Sequence, residues 1–148
     1  MTLVPKEVYW KPREHHPPVE CLHKITIPAS KHRTLIYKID KPETLLLMYS
    51  HNEDDITITL YYSKEKNTPE NELELMVASI PKCGLPAMDL FDYMCEEPGY
   101  YYLRLTNEAS WLLPSSYKLI ILENGTRKEI EPINMKEKWV KKASKKMK

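Results

Sequence analysis

The chain has 148 residues and a mass of 17.5 kDa, with 22 Lys plus Arg against 21 Asp plus Glu for a formal charge of +1. That is about one domain's worth of sequence, long enough to bury a core without disulfide or metal staples. The charge balance excludes a uniformly basic nucleic-acid coat and a wholly acidic disordered chain, and three glycines leave no glycine-rich cradle for an NTPase or dinucleotide enzyme.

Residues 1–20 carry Pro5, Pro12, Pro17 and Pro18 with charges between them and read as a Pro-rich linker or arm. Lys6, Glu7, Lys11 and Arg13 leave no apolar segment of signal-peptide type. From Cys21 the pattern turns to period two. Ile25 and Ile27 alternate with Lys24 and Thr26, and Leu35, Tyr37 and Ile39 alternate with Thr34, Ile36 and Lys38. The run Leu45–Tyr49 suits a buried strand and is far below the about 20 residues of a membrane-spanning helix. Ile56, Ile58, Leu60 and Tyr62 alternate with Thr57, Thr59 and Tyr61, and Leu73, Leu75 and Val77 alternate with Glu72, Glu74 and Met76. Residues 80–97 are ambiguous, with 88–94 readable as a strand or a helical turn. Tyr101, Leu103 and Leu105 follow Pro98-Gly99, which is expected to form a type II turn. Tyr117, Leu119 and Ile121 make the last strand.

Seven or eight short strands at this spacing predict an all-β fold, an antiparallel sandwich over residues 21–123. Beyond it, residues 124–148 hold nine Lys plus Arg and three Glu, a net +6, which leaves about −5 for the rest of the chain. On a helix, Met135, Trp139, Val140, Ala143 and Met147 fall within an arc of about 140°. Lys138, Lys141, Lys142, Lys145 and Lys148 fall opposite. The segment is therefore expected to be a basic amphipathic C-terminal helix. Lys138, Trp139, Lys141, Lys142, Lys145 and Lys146 are its candidate contacts to an anionic membrane or an acidic partner.

The stretch from Pro98 to Ser110 resembles the penultimate-strand signature of GOLD domains. There, a Pro-Gly turn feeds a strand of aromatic, x, Leu-Arg, two further residues, Asn, two more and Ser. Here these are Pro98, Gly99, Tyr101, Leu103, Arg104, Asn107 and Ser110. Val4-Pro5-Lys6 with Tyr9 is similar to the linker that precedes this domain in CRAL-TRIO–GOLD lipid-transfer proteins of the supernatant protein factor type. Asp55-Ile56 also falls in the family's place, and the resemblance covers roughly residues 3 to 123. Three positions depart from the pattern: Leu47-Met48 replaces Arg-Trp, Thr106 replaces Asp, and Ala109 replaces an aromatic residue. The resemblance implies a jelly-roll-like sandwich used for protein contact in lipid transfer or membrane traffic. With no signal-peptide segment, the expected location is cytoplasmic, with a peripheral place on Golgi or endoplasmic reticulum membranes as the further expectation. The lipid pocket of such proteins lies in a CRAL-TRIO domain that these 148 residues do not include.

Other clusters have plainer readings. His15, His16, Cys21 and His23 are zinc-ligand types, but Pro17-Pro18 splays them apart. Glu53, Asp54 and Asp55, and Asp89, Asp92, Glu96 and Glu97, lack calcium-loop spacing and read as solvated turns. Neither Cys83 nor Cys95 has an adjacent activating group, and Ser110 lies in no nucleophile elbow, so no catalytic residue, metal or cofactor is expected. Three cysteines do not make a disulfide framework and point to a reducing compartment. Asn124-Gly125-Thr126 reads as a turn rather than a glycosylation site, and Lys145-Lys146-Met147-Lys148 as a dilysine pattern without the membrane span it serves. Bulky inward Ile, Leu and Tyr should fill the interior and leave no room for lipid cargo in this chain alone. The expectation is a non-enzymatic protein-interaction module, with membrane docking through the C-terminal segment as the alternative.

Overall fold

The computed structural model describes residues 17–52, 54–82, 88–107 and 112–135. Eight strands run in chain order: β1 (His23–Ile27), β2 (His32–Ile39), β3 (Thr44–Asn52), β4 (Ile56–Ser63), β5 (Glu74–Lys82), β6 (Asp89–Cys95), β7 (Gly99–Asn107) and β8 (Ser115–Glu123). They form two antiparallel four-stranded sheets, ordered β1-β8-β3-β6 and β2-β7-β4-β5. Every connection except β4–β5 passes from one sheet to the other. The described helical structure is two single 3-10 turns, Val19–Cys21 and Glu70–Glu72.

The period-two pattern produces these strands because alternate side chains enter one shared core. Ile25 and Ile27 of β1, Leu46 and Met48 of β3, and Leu119 and Ile121 of β8 come from the first sheet. Leu35 and Tyr37 of β2, Ile56 and Ile58 of β4, and Leu103 and Leu105 of β7 meet them from the second. Each such buried aliphatic side chain contributes roughly 1.5–3 kcal/mol. A smaller cluster of Leu22, Tyr49, Ile120 and Leu122 covers part of the first sheet's outer face.

Three expectations are corrected and one ambiguity is resolved. Pro98-Gly99 does not form a type II turn: Gly99 has φ of +149°, where that turn needs about +80°, and it already pairs with Ile39 as the first residue of β7. Glycine is required there by crowding, since a Cβ would lie 2.7 Å from Cε1 of Tyr62 and 2.9 Å from the Ser63 carbonyl oxygen. Leu73, Leu75 and Val77 do not share a face. Leu73 ends the second 3-10 turn, and an irregularity in β5 sets Val77 opposite Leu60 but Leu75 opposite Tyr61. Val77 therefore packs on the core while Leu75 is exposed. The ambiguous stretch resolves into a strand, β6, because pairing with β3 satisfies its backbone.

Finally, the residues after β8 start no helix as far as they are described. Residues 124–135 fold back over the strands as a strap. The Glu123 and Ile130 amides donate to the carbonyls of Lys128 and Ile121, and the Ile133 amide donates to Ile36 at the edge of β2. Asn134 completes this contact: its Oδ1 accepts from the Ile36 amide at 3.1 Å and its Nδ2 donates to the Thr34 carbonyl at 2.8 Å. An edge strand is thereby closed to further pairing. Met135, assigned above to the apolar helix face, packs against the core. Of that face only Met135 is described, and like Ile130 it spends its apolar surface on the sheets. The rest of the expected helix, with Lys138, Trp139, Lys141, Lys142, Lys145 and Lys146, lies outside the described residues.

Candidate functional site

β5 and β6 are edge strands of their respective sheets, and residues of both line one gap. The gap is a cleft of about 440 Å³ lined by Tyr62, Glu74, Met76, Tyr93, Met94, Glu96, Glu97 and Tyr101. Each lining residue has a local cause. The irregularity in β5 falls between Leu75 and Val77 and brings Met76 to the cleft. Tyr62 and Tyr101 belong to adjacent strands of one sheet and pair directly, with ring centroids 4.9 Å apart. Tyr93 reaches across from the other sheet, 6.2 Å from Tyr101 in an edge-on arrangement. The phenols anchor the wall, with Tyr62 donating to the Pro98 carbonyl and Tyr101 to the Glu97 carbonyl, both at 2.6 Å.

The cleft is apolar inside and acidic at its rim. Glu43 joins Met94, Glu96 and Glu97 around an adjoining depression. Burial, with smaller contributions from Glu97 and Glu74, raises the Tyr62 phenol above its ordinary value. Burial likewise raises Tyr93 and Tyr101. These rings are neutral at physiological pH and present hydrogen-bonding edges and flat apolar faces. Cys95, beside them, is fully buried, and burial pushes its thiol up to about 12. A thiol so placed holds its proton and is no nucleophile. The arrangement can therefore hold a ligand that is both apolar and cationic: methionine adapts to irregular shapes, tyrosine faces accept cations, and the glutamates attract positive charge. Leu75, Met76, Leu90 and Met94 are all at least 38% exposed on or beside these edge strands.

Of the described signature residues only Tyr101 lines the cleft. Pro98 precedes β7, and Gly99, Tyr101, Leu103, Arg104 and Asn107 lie along it, in an interior position of the second sheet. Tyr101 and Leu103 are buried in the core. Arg104 faces outward, stacked 4.9 Å from the Tyr61 ring centroid and ion-paired with Glu70. Asn107 is buried, and its Nδ2 donates to the carbonyls of Leu113, Ile27 and Pro28 at 3.0, 3.3 and 3.4 Å. Ser110 lies outside the described residues, as do His15, His16, Glu53 and Cys83. His23 is buried with its Nε2 2.7 Å from Glu129, and Cys21 is buried. Among the described residues no three His, Cys, Asp or Glu side chains converge as metal ligands.

The acidic stretch of β6 is divided by the fold. Asp89 lies near Tyr117, whose phenol it helps burial to raise to about 12, while Glu96 and Glu97 sit at the cleft. Sequence reasoning missed Met76, Met94, Tyr62, Tyr93, Glu43 and Glu74 as one site. The available signal was two neighbouring strands carrying methionine at solvent-facing positions.

These features define an all-β domain of two packed sheets with a tyrosine- and methionine-lined edge cleft. Residues 8–131 match the family model described as "F28H7_8_C:-like, C-terminal domain", and the chain belongs to that family. A curated relative, CRAL-TRIO domain-containing protein F28H7.8 of Caenorhabditis elegans, is 66% identical over 142 residues. The match takes in 96% of this chain and 35% of the relative, so the chain spans about a third of that protein's length. Among solved structures, Yersinia pseudotuberculosis-derived mitogen (YPM) aligns with 66% of this chain and 80% of its own, at 16% identity and a TM-score of 0.43. TmCBM61 in complex with beta-1,4-galactotriose aligns with 70% of each chain, at 10% identity and the same TM-score.

Proposed function

We propose that the chain is a non-enzymatic protein-interaction module of GOLD type, the C-terminal part of a lipid-transfer protein, and that it docks its partner in the β5–β6 cleft. The family description names a C-terminal domain, and the curated relative carries CRAL-TRIO in its name. Both support reading this chain as the accessory domain beside a lipid-binding one. The strand order supports the jelly-roll description, in which eight strands are wound between two sheets. The deep burial of Cys95, whose thiol keeps its proton, supports a role in binding rather than catalysis.

One observation carries the reading: Met76, Met94 and three tyrosines line one cleft beside the edge strands β5 and β6, with Glu43, Glu74, Glu96 and Glu97 around it. Such a cleft selects an extended or helical peptide with a large apolar anchor flanked by Lys or Arg. Selection from a random peptide library tests this. The wild-type chain should enrich sequences pairing an aromatic or long aliphatic residue with basic neighbours. A Glu74→Lys, Glu97→Lys variant should lose that enrichment. Equal enrichment of the same sequences by both proteins would overturn the assignment.

A further inference from the structure

The outer face of the first sheet carries an arrangement that the cleft does not explain. The β1–β8 register sets Lys24 opposite Lys118, and the β3–β8 register sets His51 opposite the same Lys118. All three point away from the core, because the flanking Ile25, Tyr117, Ser50 and Asn52 are buried. Two lysines and an imidazole thus form one row across three adjacent strands. Directly opposed like charges destabilise a sheet. The ion pairs His23–Glu129, Lys38–Asp40 and Arg104–Glu70 all lie away from this row.

The row is concave. Lys24, His51, Ser116 and Lys118 line a depression of about 100 Å³, with no carboxylate among the described residues of its wall. At about 30 Å³ per water, this is room for one small oxyanion and too little for a nucleotide or an acyl chain. Two ammonium groups, a ring N–H and a hydroxyl converge on it, which suits a tetrahedral anion with several acceptor oxygens. Thr26, opposite Ser116, adds a second hydroxyl at the margin.

We propose that Lys24, His51, Ser116 and Lys118 form a binding site for a phosphate monoester group. Bound phosphate would offset the repulsion within the row, so the empty site is maintained at a cost in stability that the ligand recovers. The phosphate could be carried by a lipid headgroup or by a soluble molecule, and the two sources separate experimentally.

The full chain is titrated with inorganic phosphate, and amide shifts and thermal stability are followed at constant ionic strength, with chloride as the control. Saturable shifts should appear around residues 23–26, 50–52 and 116–119, with a rise in Tm. Lys118→Gln and Lys24→Gln should each weaken binding about tenfold, since each removes a charge-assisted donor. Both variants should melt at or above the wild-type temperature without phosphate, which shows that they fold. Flotation with phosphatidylcholine vesicles, with or without phosphatidylinositol 4-phosphate, then assigns the source. Retention on the phosphoinositide vesicles that Lys118→Gln weakens supports the site with a lipid headgroup. Phosphate binding without such retention supports it with a soluble phosphate. Shifts no larger than with chloride, or phosphate binding unchanged in both variants, would overturn the proposal.

Discussion

Gly99 shows how much a single position can carry for a reason that local sequence conceals. A proline-glycine pair ordinarily announces a turn, yet here the glycine is already in a strand. Its φ of +149° and the 2.7 Å approach of Tyr62 both exclude a side chain. The Tyr62 hydroxyl is also held by the Pro98 carbonyl, so the ring cannot swing aside without losing a hydrogen bond. Gly99→Ala should therefore destabilise the domain by about 2 kcal/mol, from backbone strain plus displacement of the ring. Urea unfolding measures this. A midpoint unchanged from wild type would show that the packing relaxes freely. Because Tyr62 also lines the cleft, the same variant should perturb Tyr101 and Tyr93 signals before it perturbs the distant end of β7.

Among the elements, β7 is held at both ends by side chains rather than by turns. At its start, Tyr101 reaches back to the Glu97 carbonyl. At its end, the Asn107 amide joins the β1–β2 connection to the segment before β8, through the carbonyls of Ile27, Pro28 and Leu113. Its own backbone amide donates to Lys31. Asn107→Ala removes the shared donor and leaves buried carbonyls unsatisfied, which should cost about 2–3 kcal/mol. Hydrogen exchange should show the loss at the Ile27–Lys31 turn as well as near Leu113. Faster exchange confined to residue 107 would mean the bridge holds nothing together. The position was legible as a signature residue of the strand that follows Pro98-Gly99. Its three acceptors were not, because two of them are about 80 residues away in the chain.

At the scale of the whole molecule, the core holds several groups that must remain protonated. Burial raises Tyr37, Tyr101, Tyr117 and Cys95, the last two to about 12. In the unfolded chain, Cys and Tyr lose their protons near 9.0 and 10.0. The folded state therefore binds more protons than the unfolded state above those values. The contribution is fully present below about pH 9 and is lost as pH rises toward 12. The urea midpoint should be level through pH 8 and fall steadily between pH 9 and 11.5. A midpoint flat across that range would show that these groups ionise as readily in the fold as outside it.

Strand identity and the inward faces of β1, β2, β4, β7 and β8 followed from the residues alone, because a side-chain period of two with one face buried leaves little choice. The same reading placed Tyr101, Leu103 and Leu105 in the strand after Pro98-Gly99. Three things came only with the tertiary structure. The face of Leu75 depends on an irregularity visible only against β4. The strap over 124–135 depends on an edge strand, β2, that lies about 100 residues earlier in the chain. The cleft and the Lys24–Lys118–His51 row depend on which strands end each sheet and which lie side by side. A periodic pattern says which way a side chain points. Which strand lies beside it is set by long-range pairing that no local stretch of sequence encodes.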